Sequence, residues 1–346
     1  MLRLAVDLRP LLEPFESGVT QYASAMLREL LKRRDVELDL FYQARQRCER
    51  IHEKFPSVRH LPISNTVFHL RSLLGTPRLP ADYFKVKPDL IWIPDRRPFY
   101  KTGIPLVMTV HDRVPELCAR TLSLKGRLWH RIFNLKRLLR LCSGVLLPSF
   151  TSGASLPSKL LKEVSYEGAE LAFAVEPARQ PTGDFFLAIS PCDPRKRLPW
   201  IFKMAQRFPK FHFVVLGLKP GDSRFANLRL QKLKNLELRG PVTEGEKTWF
   251  LRHAAALLAL SSYEGFDLPV LEAVTAKCPV ILSDIAVHHE LYKEAWFVKT
   301  EAELEAALYR SKHSKIPVPK PRGIYTWEKA AERALLLFGR VLHHKD

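Results

Sequence analysis

The sequence predicts an α/β protein made of two doubly wound, parallel-sheet domains. Three observations predict this. Short, nearly uninterrupted apolar runs such as Leu2 to Leu8, Asp184 to Ile189 and Ala255 to Leu260 recur along the chain, as strands buried on both faces require. Segments with helical spacing of apolar residues alternate with these runs, the βαβ pattern of a parallel sheet. At 346 residues the chain suits two domains, and Glu176 to Thr182 is a proline-bearing stretch without apolar period where a boundary fits.

In the first half, the opening strand leads into a loop over 9–18 that holds Pro10, Pro14 and Gly18. A helix over Val19 to Leu31 follows, with Tyr22, Met26, Leu27 and Leu30 on one face and Ser17-Gly18 as cap and flexible entry. Val36 to Tyr42 reads as a strand and Ala44 to Lys54 as a basic helix; residues 56–88 read as irregular. Asp89 to Pro94, Pro105 to Val110 and Ser143 to Pro148 are strands, and Thr151 to Lys162 is a helix. Residues 123–142 form one helix with Leu124, Leu128, Ile132, Leu135, Leu139 and Cys142 as an apolar stripe. Core packing explains such a stripe. Leu171 to Val175 closes the first domain.

The second half repeats the pattern. A strand at Asp184 to Ile189 is followed by Ser190-Pro-Cys-Asp-Pro-Arg195-Lys196-Arg197 and a helix over Leu198 to Phe208. Phe211 to Gly217 and Asn235 to Leu238 are strands, and Thr243 to His253 is a helix. Ala255 to Glu290 reads strand, turn, helix, strand, turn, helix, with the helix at Pro269 to Ala276 and the next strand at Pro279 to Leu282.

Composition narrows the class. No apolar run approaches the ~20 residues of a membrane span, and Asp7 and Arg9 interrupt what would be a secretory signal core. Cys48, Cys118, Cys142, Cys192 and Cys278 are odd in number and scattered, which suggests reduced thiols in a cytoplasmic chain and neither a disulfide framework nor a zinc site. The net charge of +19 fits an anionic substrate, an anionic membrane or nucleic acid, or only a soluble surface. Residues 1–176 carry 28 basic and 18 acidic groups, and 96–142 alone carry 11 basic and 2 acidic. Lys125, Arg127, Arg131, Lys136, Arg137 and Arg140, with Arg96 and Arg97, are therefore expected to meet the inner leaflet of a membrane.

The stretch around Glu264 carries the chemistry. Helix-start amides between Glu264 and Glu272 form an anion site suited to phosphate. Carboxylates would repel phosphate, so the two acids are expected to face hydroxyl groups. Together they describe a sugar nucleotide; ordinary solvated helix acids are the simpler alternative. The exact residues, Glu264-Gly-Phe-Asp-Leu-Pro-Val-Leu-Glu272-Ala and then Cys278-Pro-Val-Ile, closely resemble the E-x7-E segment of retaining glycosyltransferases with the GT-B fold, family 4 (glycosyl transferases group 1). Asp267 and Lys277 stand where that pattern commonly has glycine. The resemblance implies that Glu264 lies by the donor sugar, that Glu272 holds the ribose, and that the backbone of Phe266, Asp267 and Leu268 holds the diphosphate.

Other anchors follow in the family's order. Asp7-Leu-Arg9-Pro10 with Gly18-Val-Thr-Gln21-Tyr22 is similar to its opening strand and helix, which places Gly18 and Val19 near donor or acceptor. His111-Asp112, after a strand, resembles the histidine that faces the donor sugar; a near-neutral pKa opens both protonation states to it. Pro194-Arg195-Lys196-Arg197 resembles P-R-K-N, whose basic pair neutralises the diphosphate, with Arg197 in place of asparagine and Ser190 in place of an upstream glycine. Gly240 and Val242 resemble the G-x-V beside the base, and Tyr325-Thr-Trp327 resembles the opening of the terminal helix.

The resemblance implies two facing Rossmann-like domains, residues 1–176 on the acceptor side and 177–325 for the nucleotide sugar, with a helix over 326–346 returning to the first. The expected activity is retaining transfer of a hexose, mannose or rhamnose foremost, from a nucleoside diphosphate sugar to a carbohydrate or lipid-linked hydroxyl in surface-polysaccharide or glycolipid assembly. It needs no metal and no cofactor beyond that co-substrate. The alternatives are a GT-B protein that binds nucleotide sugar without transfer, an epimerase or hydrolase of the same fold, and a basic nucleic-acid binder; the last lacks interleaved aromatics and any binding motif, so no nucleic acid is expected.

Overall fold

The computed structural model describes residues 1–13, 17–74, 84, 86–99, 102–189, 193–218, 233–320 and 322–344. Pro14, Ser190 and Cys192 lie outside the described residues. Contacts divide the chain into two units, one of 1–115, 122–167 and 324–346 and one of 116–121 and 168–323.

The first unit is built on a parallel sheet. Its strands are β1 (Leu2–Asp7), β2 (Val36–Gln43), β3 (Arg59–Leu61), β4 (Leu90–Ile93), β5 (Leu106–Thr109), β6 (Gly144–Leu147) and β7 (Leu161–Val164). They are ordered β3-β2-β1-β4-β5-β6-β7. Leu4 pairs with both Leu38 and Leu90, so the chain reverses its direction of growth between β1 and β4. In such sheets that switch point, at the carboxyl ends of the strands, is where ligands sit. Helix α1 (Gly18–Leu31) follows β1 with Ser17 as its cap, accepting from the Thr20 amide at 3.2 Å.

The sequence expectations differ from the fold in this unit at identifiable places. Residues 56–88, read as irregular, contain β3 and helix α3 (Asn65–Leu74), and the basic helix α2 is short, Glu49–Lys54. The helix expected over Thr151 to Lys162 ends after one turn, α7 (Phe150–Gly153), and the chain then forms β7. Both missed strands are sheet edges, where polar side chains are tolerated and the buried-run signal fails. After the short helix α4 (Val114–Leu117), the single helix expected over 123–142 is two, α5 (Leu124–Ile132) and α6 (Leu135–Leu139), because Asn134 caps α6 by accepting from the Arg137 amide at 2.9 Å. Its apolar stripe is core only in the second half: Leu135, Leu138 and Leu139 are buried, whereas Leu124 is 81% and Leu128 60% exposed.

The second unit repeats the order. Strands β8 (Phe185–Ile189), β9 (His212–Leu216), β10 (Leu236–Leu238), β11 (Ala256–Ala259), β12 (Val280–Ser283) and β13 (Trp296–Val298) are arranged β10-β9-β8-β11-β12-β13, all parallel. Its switch point lies between β8 and β11. The stretch from Gly168, expected to finish the first domain, counts with this unit: the Val175 amide donates to the Gly245 carbonyl at 3.0 Å. At the other end of the chain, the helix Trp327–His343 packs on α1, β6 and β7 of the first unit. Gly144 allows the approach, since a Cβ there would stand 2.8 Å from Val341 Cγ2.

Candidate functional site

Two segments meet at the switch point of the second sheet. After β8, Asp193 accepts from the Arg195 amide at 2.9 Å and nucleates one 3-10 turn, Pro194–Lys196. Arg197 ends that turn in the left-handed region at φ 48° and starts helix α8 (Leu198–Arg207). After β11, the Ser262 amide donates to the Arg195 carbonyl at 2.8 Å, which ties the two loops together. Asp267, at φ 74°, precedes helix α9 (Leu268–Thr275).

This geometry brings Arg195, Lys196, Glu264 and Asp267 together. Lys196 Nζ lies 3.0 Å from Glu264 Oε1 and 3.3 Å from Asp267 Oδ1. Arg195 binds Asp193 Oδ2 at 2.6 Å, donates to the Tyr263 carbonyl and reaches Glu264 at 4.0 Å. Burial would lower the Lys196 pKa, but Asp267 and then Glu264 outweigh it and hold the ammonium charged. Burial would likewise raise Asp267; Lys196 first and His288 next hold its carboxyl well below the usual range. Its second oxygen is 3.1 Å from His288 Nε2, and His288 Nδ1 donates to the Ser283 carbonyl.

Asp267 makes no cap bond to α9, because its carboxylate is turned to Lys196 and His288. The N-cap side chain therefore makes no bond to the first-turn amides of this helix. Phe266 and Leu268 are buried on either side of Asp267.

Glu272, one turn into α9, is 2% exposed and binds Lys247 Nζ at 2.8 Å. Lys247 comes from the helix Glu244–His253 and also binds Glu244 at 2.7 Å. Burial lowers the Lys247 pKa less than Glu272 and Glu244 raise it. Each of the two carboxylates, Glu264 and Glu272, thus holds a lysine ammonium group in this structure. Gly240 follows β10, with its carbonyl accepting from Gly217 at 3.1 Å, and Val242 precedes the Thr243–Glu246 capping box.

His111, Gly18 and Val19 belong to the first unit. Gly18 opens α1, and Tyr22 of the same helix meets the His111 ring edge-on at 4.6 Å. His111 follows β5, with Nε2 2.9 Å from the Pro94 carbonyl and Nδ1 3.3 Å from Glu167. Asp112 accepts from the Val114 amide, so it caps the next turn and does not orient His111. Arg97 is committed to Asp95 and Glu13, and Arg96 is buried. Arg96 is thus not on the surface where it was expected to meet a membrane, and Arg97 is only partly exposed.

Sequence reasoning missed Asp193, Lys247, Glu167 and His288. Asp193-Pro-Arg195 carried a legible cap signal. The other three act across elements, and no local spacing announces them.

All three non-glycine residues with positive φ among the described residues are Arg197, Asp267 and Lys277. Each of the three stands where the resembling pattern has another residue, asparagine for Arg197 and glycine for Asp267 and Lys277. Glycine and asparagine enter the left-handed region most easily, so the backbone is kept while the residue that favours it is replaced.

A family model described as Glycosyltransferase Family 4 matches residues 17–158, and one described as Glycosyl transferases group 1 matches residues 174–307. The chain is 25% identical over 209 residues to the O-antigen chain mannosyltransferase RfbU of Salmonella typhimurium, a match covering 54% of this chain and 58% of that protein. It is 36% identical over 87 residues to the serotype-specific mannosyltransferase WbdA of Escherichia coli, covering 23% of this chain and 11% of that protein. The matches thus span little more than half the length of the first relative and about a tenth of the second. Among solved structures, a sucrose-phosphate synthase from Thermosynechococcus elongatus superimposes with a TM-score of 0.68 at 14% identity, covering 100% of this chain and 97% of that one. The lipopolysaccharide outer core galactosyltransferase WaaB gives 0.61 at 14% identity over 100% of both chains. With two parallel doubly wound units, the tandem family matches and these shared folds, the chain belongs to the group 1 glycosyltransferases, with the GT-B fold.

Proposed function

We propose that this protein transfers a hexosyl group, mannosyl foremost, from a nucleoside diphosphate sugar to an acceptor hydroxyl with retained configuration, in surface-polysaccharide or glycolipid assembly. The observation that carries the reading is the cluster at the second switch point, where Lys196 and Arg195 stand beside Glu264 and the start of α9. The mannosyltransferase relatives favour that sugar.

In this reading the donor diphosphate takes over the two cations, exchanging with the carboxylates that hold them, and the α9 amides complete the site. Arg195 and Lys196 then oppose the charge that builds on the leaving phosphate, which replaces a metal ion in that role. Glu264, released from Lys196, orients the sugar and steadies positive charge at its reacting carbon. Glu272 takes the ribose hydroxyls. The departing phosphate accepts the proton of the acceptor, so no separate base is needed.

The acceptor is carbohydrate or lipid-linked, and the protein works in the cytoplasm at the inner membrane face. No helix among the described residues is long and apolar enough to cross a membrane. Helix α5 instead exposes Leu124, Leu128 and Ile132 beside Lys125, Arg127 and Arg131. A cavity of about 350 Å³ lined by Asn134, Lys136, Arg137 and Arg140 lies next in the chain. An apolar edge with flanking cations suits an anionic lipid surface, at ~1 kcal/mol per cation. Liposome binding that survives neutralising Lys136, Arg137 and Arg140 would count against this surface.

The test of the activity is a thermal-shift panel of nucleotides and nucleotide sugars on wild type, Glu272→Ala and Arg195→Ala. A nucleoside diphosphate that raises the melting temperature in wild type and in neither variant supports the site and names the donor to assay for transfer. No shift at millimolar ligand refutes it and leaves a non-binding relative of the family.

A further inference from the structure

Both ring nitrogens of His111 face acceptors. Nε2 is 2.9 Å from the carbonyl oxygen of Pro94, and Nδ1 is 3.3 Å from Oε1 of Glu167. The side chains are 13% and 5% exposed, so water is largely shut out. A neutral imidazole carries one N–H, which serves one of these contacts. The other would then oppose a ring lone pair to an oxygen lone pair in a buried site, which is costly unless a second proton is present.

The charges that act most on the ring are carboxylates. Glu167 approaches from the segment after β7, and Asp95 from the segment after β4, itself bound by Arg97. Tyr22 of α1 presents its ring edge, and its hydroxyl is 3.3 Å from the Thr109 hydroxyl. The Asp112 carboxylate is engaged by the Val114 amide. We propose that Glu167 is a positioning residue for His111, holding the second ring proton so that the imidazole is a fixed, doubly protonated donor and not a base.

Burial pushes the His111 pKa down, but the hydrogen bond and charge of Glu167, then Asp95 and the Pro94 carbonyl, outweigh it and leave it raised. Burial also pushes Glu167 up, and His111 draws it back part of the way. The consequence for the site is directional. His111 can give a hydrogen bond to a hydroxyl or phosphate oxygen that displaces one of its two partners, and it cannot take a proton from an acceptor hydroxyl. This deepens the role given to His111 under the transferase reading, but the protonation is a property of the free protein and stands or falls without a donor.

The experiment is nitrogen-15 NMR of histidine-labelled protein, with the His111 ring signals identified among the 12 histidines by their loss in His111→Asn. Both ring nitrogens should show protonated shifts at pH 7. In Glu167→Gln the titration midpoint should fall by about one pH unit or more, a tenfold loss of proton affinity, and Glu167→Asp should restore part of it. A merely structural Glu167 would change melting temperature without moving that midpoint. An unprotonated nitrogen at pH 7 in wild type, or an equal midpoint in Glu167→Gln, overturns the proposal. Should the Glu167 variants fail to fold, the wild-type spectrum decides alone. Loss of nucleotide binding with the His111 shifts intact would refute the transferase reading and leave this one standing.

Discussion

Replacing Asp267 by glycine should destabilise the second unit, although it restores the residue that the left-handed backbone prefers. Asp267 is 5% exposed and holds both Lys196 and His288. Removing one partner from a buried ionic cluster costs about 3–5 kcal/mol. Lys196 keeps Glu264 at 3.0 Å, so the lower end, about 3 kcal/mol, applies. Relief of the positive φ of 74° returns about 1 kcal/mol. The wider conformational freedom of glycine when unfolded takes back about 0.5–1 kcal/mol. The net loss is about 3 kcal/mol. At about 2–4 °C per kcal/mol for a domain of this size, the unit should melt about 6–12 °C lower. Calorimetry of wild type and Asp267→Gly at pH 7 measures this directly. An unchanged or higher melting temperature would mean that the carboxylate is not a net stabiliser and that the strain at Asp267 outweighs its ion pairs.

Lys277→Gly should have the opposite sign. Lys277 is exposed at φ 63°, and the amides of Lys277 and Cys278 close the end of α9 on Val274 and Ala273, the Schellman geometry that favours glycine. A gain of about 0.5–1 kcal/mol and a melting temperature about 1–4 °C higher are expected by calorimetry. Gly144→Ala should lower stability by about 1–3 kcal/mol, read by urea denaturation, because its Cβ would stand 2.8 Å from Val341 and 3.3 Å from Leu337 of the terminal helix. The raised His111 pKa adds stability that is complete below its unfolded value of about 6.5 and is lost as pH rises through the folded value. The melting-temperature advantage of wild type over His111→Asn should therefore be largest near pH 6 and shrink on going alkaline.

Much of the fold was legible because it rests on local signals. Buried central strands must be largely apolar, and β1, β4, β5, β6, β8, β11 and β12 read that way. Helix starts were legible where a side chain closes the first turn, as Ser17 and Thr243 do. The edge strands β3 and β7 were not, since Arg59-His60 and Lys162-Glu163 are polar residues that an edge tolerates and a centre does not. In the stripe over 123–142, a helical period does not say which side is covered, and Leu124 and Leu128 prove to be the exposed part.

The sequence by itself determined the fold class, the order of the candidate site residues and the family, because these depend on which residues follow one another. Only the tertiary structure decided what those residues meet. The equal strand orders bring the segments after β8 and β11 side by side, so that Lys196, 68 positions before Glu264 by their numbers, lies 3.0 Å from it. Lys247 on Glu272, His288 on Asp267 and Glu167 on His111 arise in the same way. A carboxylate in a sequence carries no mark of its partner; ion pairs act through space over a few ångströms, and the packing of distant elements chooses them.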